Sequence, residues 1–202
     1  MPTLYQVKPA FQATLRPLVG RLASLGVTAN QVTVAAAVLS SAAALLVVAF
    51  PDRPAVFLLL PVVLFLRMAL NAIDGMLARE HGQASKLGMY LNEICDVISD
   101  LALILAFLAV PGLAAWSVVG FALLAVIVEF TGVLGLASGI GRNYAGPFGK
   151  SDRALALAVV AILIAAGYWT PAIGTWIFAA MAILSAITVA NRIRAGLSGG
   201  VR

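Results

Sequence analysis

The stretch from Asn71 to Asp100 reads NAIDGMLAREHGQASKLGMYLNEICDVISD, and the pattern around it predicts helices embedded in a membrane. A charged side chain at membrane depth costs free energy, so carboxylates there mark a functional site by default. The stretch has such carboxylates at Asp74, Glu93, Asp96 and Asp100. It also has small residues, which let a bulky ligand or another backbone come close, at Gly75, Ala78 and Gly88. The stretch therefore predicts a functional site at membrane depth.

The composition identifies the class of protein. Of the 202 residues, 62% are hydrophobic and 10% are charged, whereas a soluble domain is about half apolar and about a quarter charged. The chain is therefore expected to be an integral membrane protein with the lipid bilayer as a partner. Its net charge is +5. Because the basic residues flank apolar stretches and no nucleic-acid motif is present, topology and anionic lipid headgroups explain this charge, and nucleic acid is excluded as a partner.

Six apolar stretches are long enough to cross a bilayer, which takes about 20 helical residues. Residues 4–25 form an amphipathic pattern expected to lie in the interface. The predicted fold class is thus an all-α membrane protein with six transmembrane helices and an N-terminal amphipathic interfacial helix. We expect a juxtamembrane segment at 1–26, a membrane domain at 27–196 and a tail at 197–202. The predicted spans are 31–50, 54–79, 86–110, 113–139, 152–169 and 172–194.

The distribution of Lys and Arg predicts the orientation of these spans. Arg53 is the only basic residue on one side, and Arg67 lies within the second span. Because cytoplasmic loops carry the excess of Lys and Arg, both termini are expected in the cytoplasm of a multi-pass protein of the cell (inner) membrane. The cytoplasmic side receives Lys8, Arg16, Arg21, Arg79, Lys86, Arg142, Lys150, Arg153, Arg192, Arg194 and Arg202.

Polar residues form a stripe on each of the second and third spans. Helical spacing places Arg67, Asn71, Asp74, Gly75 and Ala78 on one face of the second span. The third span carries Ser85, Gly88, Asn92, Asp96, Ser99 and Asp100 on one face, with Glu93 at its margin. Helices joined by a short turn are antiparallel neighbours, so the stripes are expected to face each other.

The facing stripes would form a cluster of carboxylate and amide oxygens. Such oxygens suit a hard divalent cation, and magnesium often shares its coordination with substrate phosphates. A carboxylate that holds no metal could instead accept a proton from an attacking hydroxyl. The only histidine is His81, which disfavours a zinc site. Hydrogen bonding between helices would explain one Asn or one Asp, but not four acids, two Asn and an Arg on two adjacent stripes. An ion or proton pathway stays open from composition and spacing alone.

The order of these residues resembles the signature of the CDP-alcohol phosphatidyltransferases. The family string is Asp, two residues, Asp-Gly, two, Ala-Arg, eight or nine, Gly, three, Asp, three, Asp. Asn71 and Asn92 stand at the first and third Asp, while Asp74 and Asp96 match the second and fourth. The entry to the first span, Gly-Val-Thr-x-Asn at 26–30, also fits the family. The chain supplies Asp74-Gly75-x-x-Ala78-Arg79, then eight residues, Gly88, three, Asn92, three, Asp96.

The resemblance implies roles for the signature residues. Asn71, Asp74, Asn92 and Asp96 would hold magnesium or manganese, and Asp96 would also be the catalytic base. The two Asn offer neutral oxygens only, so the formal charge of the four positions falls from −4 to −2. One metal ion, or metal binding only with the nucleotide, is then an alternative to two, and Glu93 and Asp100 are candidates to compensate. The residues implied to border the CDP moiety are Gly75, Ala78, Arg79 and Gly88, although Arg79 is equally explained as a topology anchor.

A second polar region lies at 141–153, which is rich in glycine and basic residues. By resemblance, Lys150 and Arg153 are candidates to bind the charged group of the acceptor or the phosphates of the donor. Topology and helix capping, with Ser151 as an N-cap, explain the region almost as well. Glu129 is expected to form a structural ion pair with Arg67.

The expected activity is the transfer of a phosphatidyl group from CDP-diacylglycerol to a small polar alcohol, with release of CMP. One alternative is a weakened or inactive homologue that serves as a binding or transport protein. Another is transfer from a soluble CDP-alcohol to a lipid hydroxyl. The resemblance implies a homodimer, and the sequence leaves the acceptor alcohol open.

Overall fold

The computed structural model describes residues 4–199, with side chains from residue 9 to residue 198. Over the described residues the chain is helical and contains no strand. Residues 200–202 of the predicted tail lie outside this range, and the helix before them continues through Gly199. The α-helices are α1 (Leu4–Ser24), α2 (Ala29–Ala49), α3 (Leu59–Glu80), α4 (Lys86–Leu105), α5 (Ala115–Ala137), α6 (Lys150–Ala165) and α7 (Pro171–Gly199); short 3-10 segments span Pro54–Leu58 and Ala106–Ala109.

Four helical segments are long and apolar enough to cross a membrane, namely Ala29–Ala49, Pro54–Glu80, Ala115–Ala137 and Pro171–Ser198. They coincide with the first, second, fourth and sixth predicted spans. The other two predicted spans fall on α4, which carries several charges, and on α6, which has 16 residues. A helix of that length rises about 24 Å, less than the about 30 Å of a hydrocarbon core. The count of six crossings and the interfacial setting of α1 therefore remain predictions.

The chain forms two compact units, and the first takes in the residues up to Ser41 together with Val63–Ser99. Its core joins α1, α2 and α3 through Val19, Ala29, Val32, Ile73, Met76 and Leu77. At the surface, the guanidinium of Arg16 donates two hydrogen bonds of 3.0 Å to the carboxylate of Glu80. Thr28 caps α2, because its hydroxyl accepts a hydrogen bond from the N–H of Gln31 and its own N–H donates to the Gln31 side chain. These contacts fix α1 and the start of α2 against the C-terminal half of α3.

The second unit comprises Ala42–Val62 and the chain from Asp100 onward. Helices α5 and α7 pack against each other in it, and Phe178 of α7 contacts the rings of Phe107 and Phe121 with centroids 5.3 and 6.0 Å away. Arg192 of α7 donates to the carbonyl oxygens of Val128 and Ala145. This guanidinium therefore ties the connection between α5 and α6 to both long helices.

A buried ionic network also holds the second unit together. Glu129 Oε1 lies 2.6 Å from Arg153 Nη2, and Glu129 Oε2 lies 3.0 Å from Arg142 Nη2. Arg153 Nη2 also lies 2.7 Å from Asp100 Oδ2. Arg67 was the expected partner of Glu129, whereas the arginines that the structure places on this carboxylate are Arg142 and Arg153. The network thus links α4, α5, α6 and the loop before α6.

The start of α6 differs from the prediction of a Ser151 cap. The helix begins at Lys150 after Gly149, so Ser151 already lies in the first turn. The capping carboxylate is that of Asp152, whose Oδ2 accepts a hydrogen bond of 2.9 Å from the N–H of Gly149. A carboxylate also suits the positive end of the helix dipole better than a hydroxyl does.

Leu77 provides a test of the core of the first unit. Its side chain is fully buried, so Leu77→Ala should lower the free energy of unfolding by about 2–5 kcal/mol through lost contacts and a cavity. Leu66 on the same helix is 43% exposed, and Leu66→Ala is the matched control. The measurement is thermal unfolding in one detergent. Equal shifts in Tm for the two variants would contradict the described packing of α1 on α3.

Glu129 provides the corresponding test of the second unit. Glu129→Gln keeps the shape of the side chain but removes a buried negative charge from between two arginines, which should destabilise the fold by about 3 kcal/mol. Glu80→Gln, which breaks the exposed pair with Arg16, should shift Tm little because water screens that pair. Thermal unfolding of both variants checks the difference, and a larger loss from Glu80→Gln would refute the network's structural role.

Candidate functional site

Asp96 is the best-defined polar centre of the first unit. Its Oδ1 accepts a hydrogen bond of 3.1 Å from Asn71 Nδ2 and lies 3.3 Å from Arg67 Nη2. The same Arg67 nitrogen donates to the backbone oxygen of Asp96 at 3.0 Å. Arg67 and Asn71 are one helical turn apart on α3, so both reach the same residue of α4. The polar stripes therefore meet here, as their spacing predicts.

Arg67 and Asp96 are little exposed to solvent, which strengthens the interaction between them. The side chain of Arg67 is 4% exposed and that of Asp96 is 13% exposed. An ion pair in such surroundings is screened little by solvent, and losing one partner leaves the other as an uncompensated buried charge. A carboxylate only accepts hydrogen bonds, so the amide of Asn71 must present its NH₂ group to Asp96. The oxygen of that amide is the atom that Asn71 can offer to a cation.

Asp74, the other signature carboxylate, is held from a different helix. It is 5% exposed, and its Oδ2 accepts a hydrogen bond of 2.7 Å from the hydroxyl of Thr33 on α2. A hydroxyl that donates to a carboxylate forms one of the stronger hydrogen bonds in proteins. Thr33 was not predicted as a residue of the site. Its only signal was a hydroxyl in an otherwise apolar helix, and nothing in that pattern indicates which neighbouring helix it faces.

The signature glycines border polar side chains in this structure. A Cβ at Gly75 would lie 3.0 Å from Arg79 Nη2, because the guanidinium folds back along α3 over the glycine. A Cβ at Gly88 would lie 2.9 Å from Asn30 Oδ1 and 3.1 Å from Ser85 Oγ. Arg79 and Asn30 therefore line the space beside the two glycines. Ala78 and Asn92 are half-buried on the same helices.

The donor set fits a hard cation in its chemistry but is low in charge. The signature positions supply oxygens from two carboxylates and two amides, which magnesium and manganese accept as ligands. Over residues 4–199 no three acidic, cysteine or histidine side chains are arranged as a metal site. Asp100, a candidate to compensate, lies in the second unit and pairs there with Arg153. The four signature positions therefore carry a charge of −2.

Arg153 and Lys150 lie at the start of α6 in very different settings. Arg153 is 1% exposed, and its Nη2 is shared by Asp100 and Glu129. Its Nε and Nη1 are buried without a hydrogen-bond partner, which is costly for a charged donor. These two N–H groups are the atoms that could bind an oxygen of an anionic ligand. Lys150 is half-buried at the first position of the helix.

Comparisons with known proteins agree with this architecture. The chain is 50% identical over 163 residues to the inner membrane protein YnbA of Escherichia coli, covering 81% of each chain. It is 29% identical over 191 residues to an archaetidylinositol phosphate synthase of Pyrococcus horikoshii, covering 94% of each chain.

Two solved structures of the phosphatidylinositol phosphate synthase PgsA1 of Mycobacterium tuberculosis share the fold. The structure in complex with manganese and citrate has a TM-score of 0.73 at 21% identity, covering 92% of this chain and 91% of that one. The structure with CDP-DAG bound has a TM-score of 0.70 at 20% identity, covering 92% and 96%. The sequence profile of the CDP-alcohol phosphatidyltransferases matches residues 26–190. This chain therefore belongs to the CDP-alcohol phosphatidyltransferase family.

Proposed function

We propose that this protein transfers a phosphatidyl group from CDP-diacylglycerol to the hydroxyl of a small polar alcohol and releases CMP. The observation that carries the proposal is the half-buried carboxylate of Asp96, which Arg67 and Asn71 hold in place within the family's signature. A fold neighbour with CDP-DAG bound supports the choice of lipid donor, and a relative from Pyrococcus horikoshii is an archaetidylinositol phosphate synthase.

Asp96 is the proposed general base. It accepts the proton of the acceptor hydroxyl as that oxygen bonds to the phosphorus of the phosphatidyl group, and the bond from this phosphorus to the CMP oxygen breaks. Hydrogen bonds from Arg67 and Asn71 fix the carboxylate so that it need not reorganise during the reaction. Asp74 is fixed in the same way by Thr33.

The remaining signature residues are proposed to bind the nucleotide and a cation. Magnesium or manganese, held by the oxygens of Asn71, Asp74, Asn92 and Asp96, would supply positive charge against the diphosphate. Manganese is present in a structure of the fold neighbour. Residues proposed to border the CDP moiety are Gly75, Ala78, Arg79 and Gly88, and those proposed for the charged groups of the substrates are Lys150 and Arg153.

The cellular setting is part of the same proposal. A relative at 50% identity is an inner membrane protein, and four helical segments here can cross a membrane. We place the protein in the inner membrane with six crossings, an interfacial α1 and both termini in the cytoplasm, where a soluble acceptor alcohol is available. A homodimer is proposed from the family alone.

A second candidate function follows from the two amides in the signature. Asn71 and Asn92 lower the charge available to bind metal, and the Escherichia coli relative is named only as an inner membrane protein. A protein that binds CDP-lipids or ions without turnover would fit both observations. Transfer from a soluble CDP-alcohol to a lipid hydroxyl is a third candidate, which differs only in the partner that carries CDP.

The deciding experiment is magnesium-dependent release of CMP by the purified protein in lipid nanodiscs. CDP-diacylglycerol with a mixture of polar alcohols should yield CMP and a lipid with a new headgroup, which mass spectrometry would identify. Binding of CDP-diacylglycerol without CMP release would favour the second candidate. CMP release only when a soluble CDP-alcohol is supplied together with diacylglycerol would favour the third candidate.

Asp96→Asn tests the proposed base. The variant keeps the shape of the side chain but removes the proton acceptor, so the rate of CMP release should fall at least about a hundredfold, the lower range of general-base effects. Asp52→Asn, which changes an exposed acid in the turn after α2, is the control and should release CMP at the wild-type rate. Near-normal activity of a folded Asp96→Asn protein would refute the assignment.

A further inference from the structure

We propose that the guanidinium of Arg67 takes the electrostatic place of a second divalent cation, so that the signature site binds one metal ion per chain. This inference rests on the proposed function, because it concerns the same site. It assigns to Arg67, which lies outside the signature, a part in setting the metal stoichiometry.

The geometry of Arg67 is that of a fixed cation. Its Nη2 is within hydrogen-bonding distance of two acceptors on one residue, the side-chain and backbone oxygens of Asp96, at 3.3 and 3.0 Å. The side chain is 4% exposed, so its charge acts at close range with little screening. An arginine side chain carries a positive charge in proteins. The positive charge beside Asp96 is therefore permanent.

Asn71 takes part in the same arrangement. Its amide donates a hydrogen bond of 3.1 Å to the Asp96 oxygen that also faces Arg67. A carboxylate at position 71 would repel Asp96 at this distance and would need a cation to bridge the two. The amide needs none, because it supplies the hydrogen itself. Arg67 and Asn71 thus satisfy together an oxygen that two carboxylates could share only through a metal ion.

The charge count leads to the same stoichiometry. Asp74 and Asp96 contribute −2, Asn71 and Asn92 contribute nothing, and Arg67 contributes +1, which leaves −1 for the five residues. One divalent ion raises this to +1, which the negative charges of a bound diphosphate more than offset. Two divalent ions would raise it to +3 in a partly buried site, beside the positive charge of Arg67. A single ion is therefore the favoured occupancy.

The test counts bound manganese by electron paramagnetic resonance of the free ion. Full-length protein in nanodiscs is titrated with Mn²⁺ in the presence of CDP. We expect one ion per chain for the wild type and for Arg67→Lys, which keeps the charge. The double variant Arg67→Gln with Asn71→Asp, which removes the guanidinium and restores a carboxylate, should bind two. Arg53→Gln changes an exposed arginine in the turn after α2, and this control should leave one ion.

The outcomes separate this inference from the proposed function. Two ions in the wild type, or one in a folded double variant, would overturn the inference. If the double variant does not fold, the wild-type count still decides, since no value other than one is compatible with the proposal. CMP release is measured on the same wild-type sample. One bound ion without CMP release would reject phosphatidyl transfer and leave the role of Arg67 standing.

Discussion

The pairing of Asp96 and Glu129 with arginine is the interaction on which the polar parts of the two units depend. In apolar helices an unpaired carboxylate is costly, and the usual relief is a counter-charge within hydrogen-bonding distance. The first unit pairs Asp96 with Arg67, and the second unit surrounds Glu129 with Arg142 and Arg153. Arginine suits this role because its planar fork is always charged and can serve several acceptors at once. The positions of the acids are thereby fixed.

The acid–arginine contacts of the two units involve their acids in different ways. In the second unit Arg153 bridges Asp100 and Glu129, so these acids are occupied in holding α4, α5 and α6 together. In the first unit the pairing leaves Asp96 within reach of the amide of Asn71, and both lie in the family's signature. The acids of the second unit thus hold helices together, whereas Asp96 of the first unit lies in the signature. Asp100, which the spacing alone offered as a compensating ligand, pairs within the structural network.

The sequence predicted what depends on local spacing and missed what depends on the choice of distant partners. The helical repeat placed Asn71 and Arg67 on one face of α3, and their contact with Asp96 follows from it. The same repeat says nothing about which helix will face Asp74, so the hydrogen bond from Thr33 was not predicted. Glu129 was recognised as a buried acid, but Arg142 is 13 residues away across a loop whose path the sequence does not reveal.

The ends of the helices were also predicted only in part. Hydropathy located α2, α3, α5 and α7 within a few residues, because each contains a long apolar run. The predicted fifth span runs to residue 169, whereas α6 ends at Ala165, before a glycine with φ of +77° at position 167. A left-handed residue of this kind is typical of the turn that closes a helix. Composition within the span did not separate helix from turn, since both are apolar.

Gly75 and Gly88 differ in the side chains that lie beside them, and this difference would affect how a nucleotide binds there. Beside Gly75 the neighbour is the guanidinium of Arg79, the end of a long side chain that can swing away when a ligand enters. Beside Gly88 the neighbours are the short side chains of Asn30 and Ser85, and Ser85 is held there because its hydroxyl accepts the N–H of Gly88. The space at Gly75 is therefore adjustable, while at Gly88 the hydrogen bond to the helix backbone holds Ser85 in place. A nucleotide that used both would move Arg79 and meet a fixed Ser85.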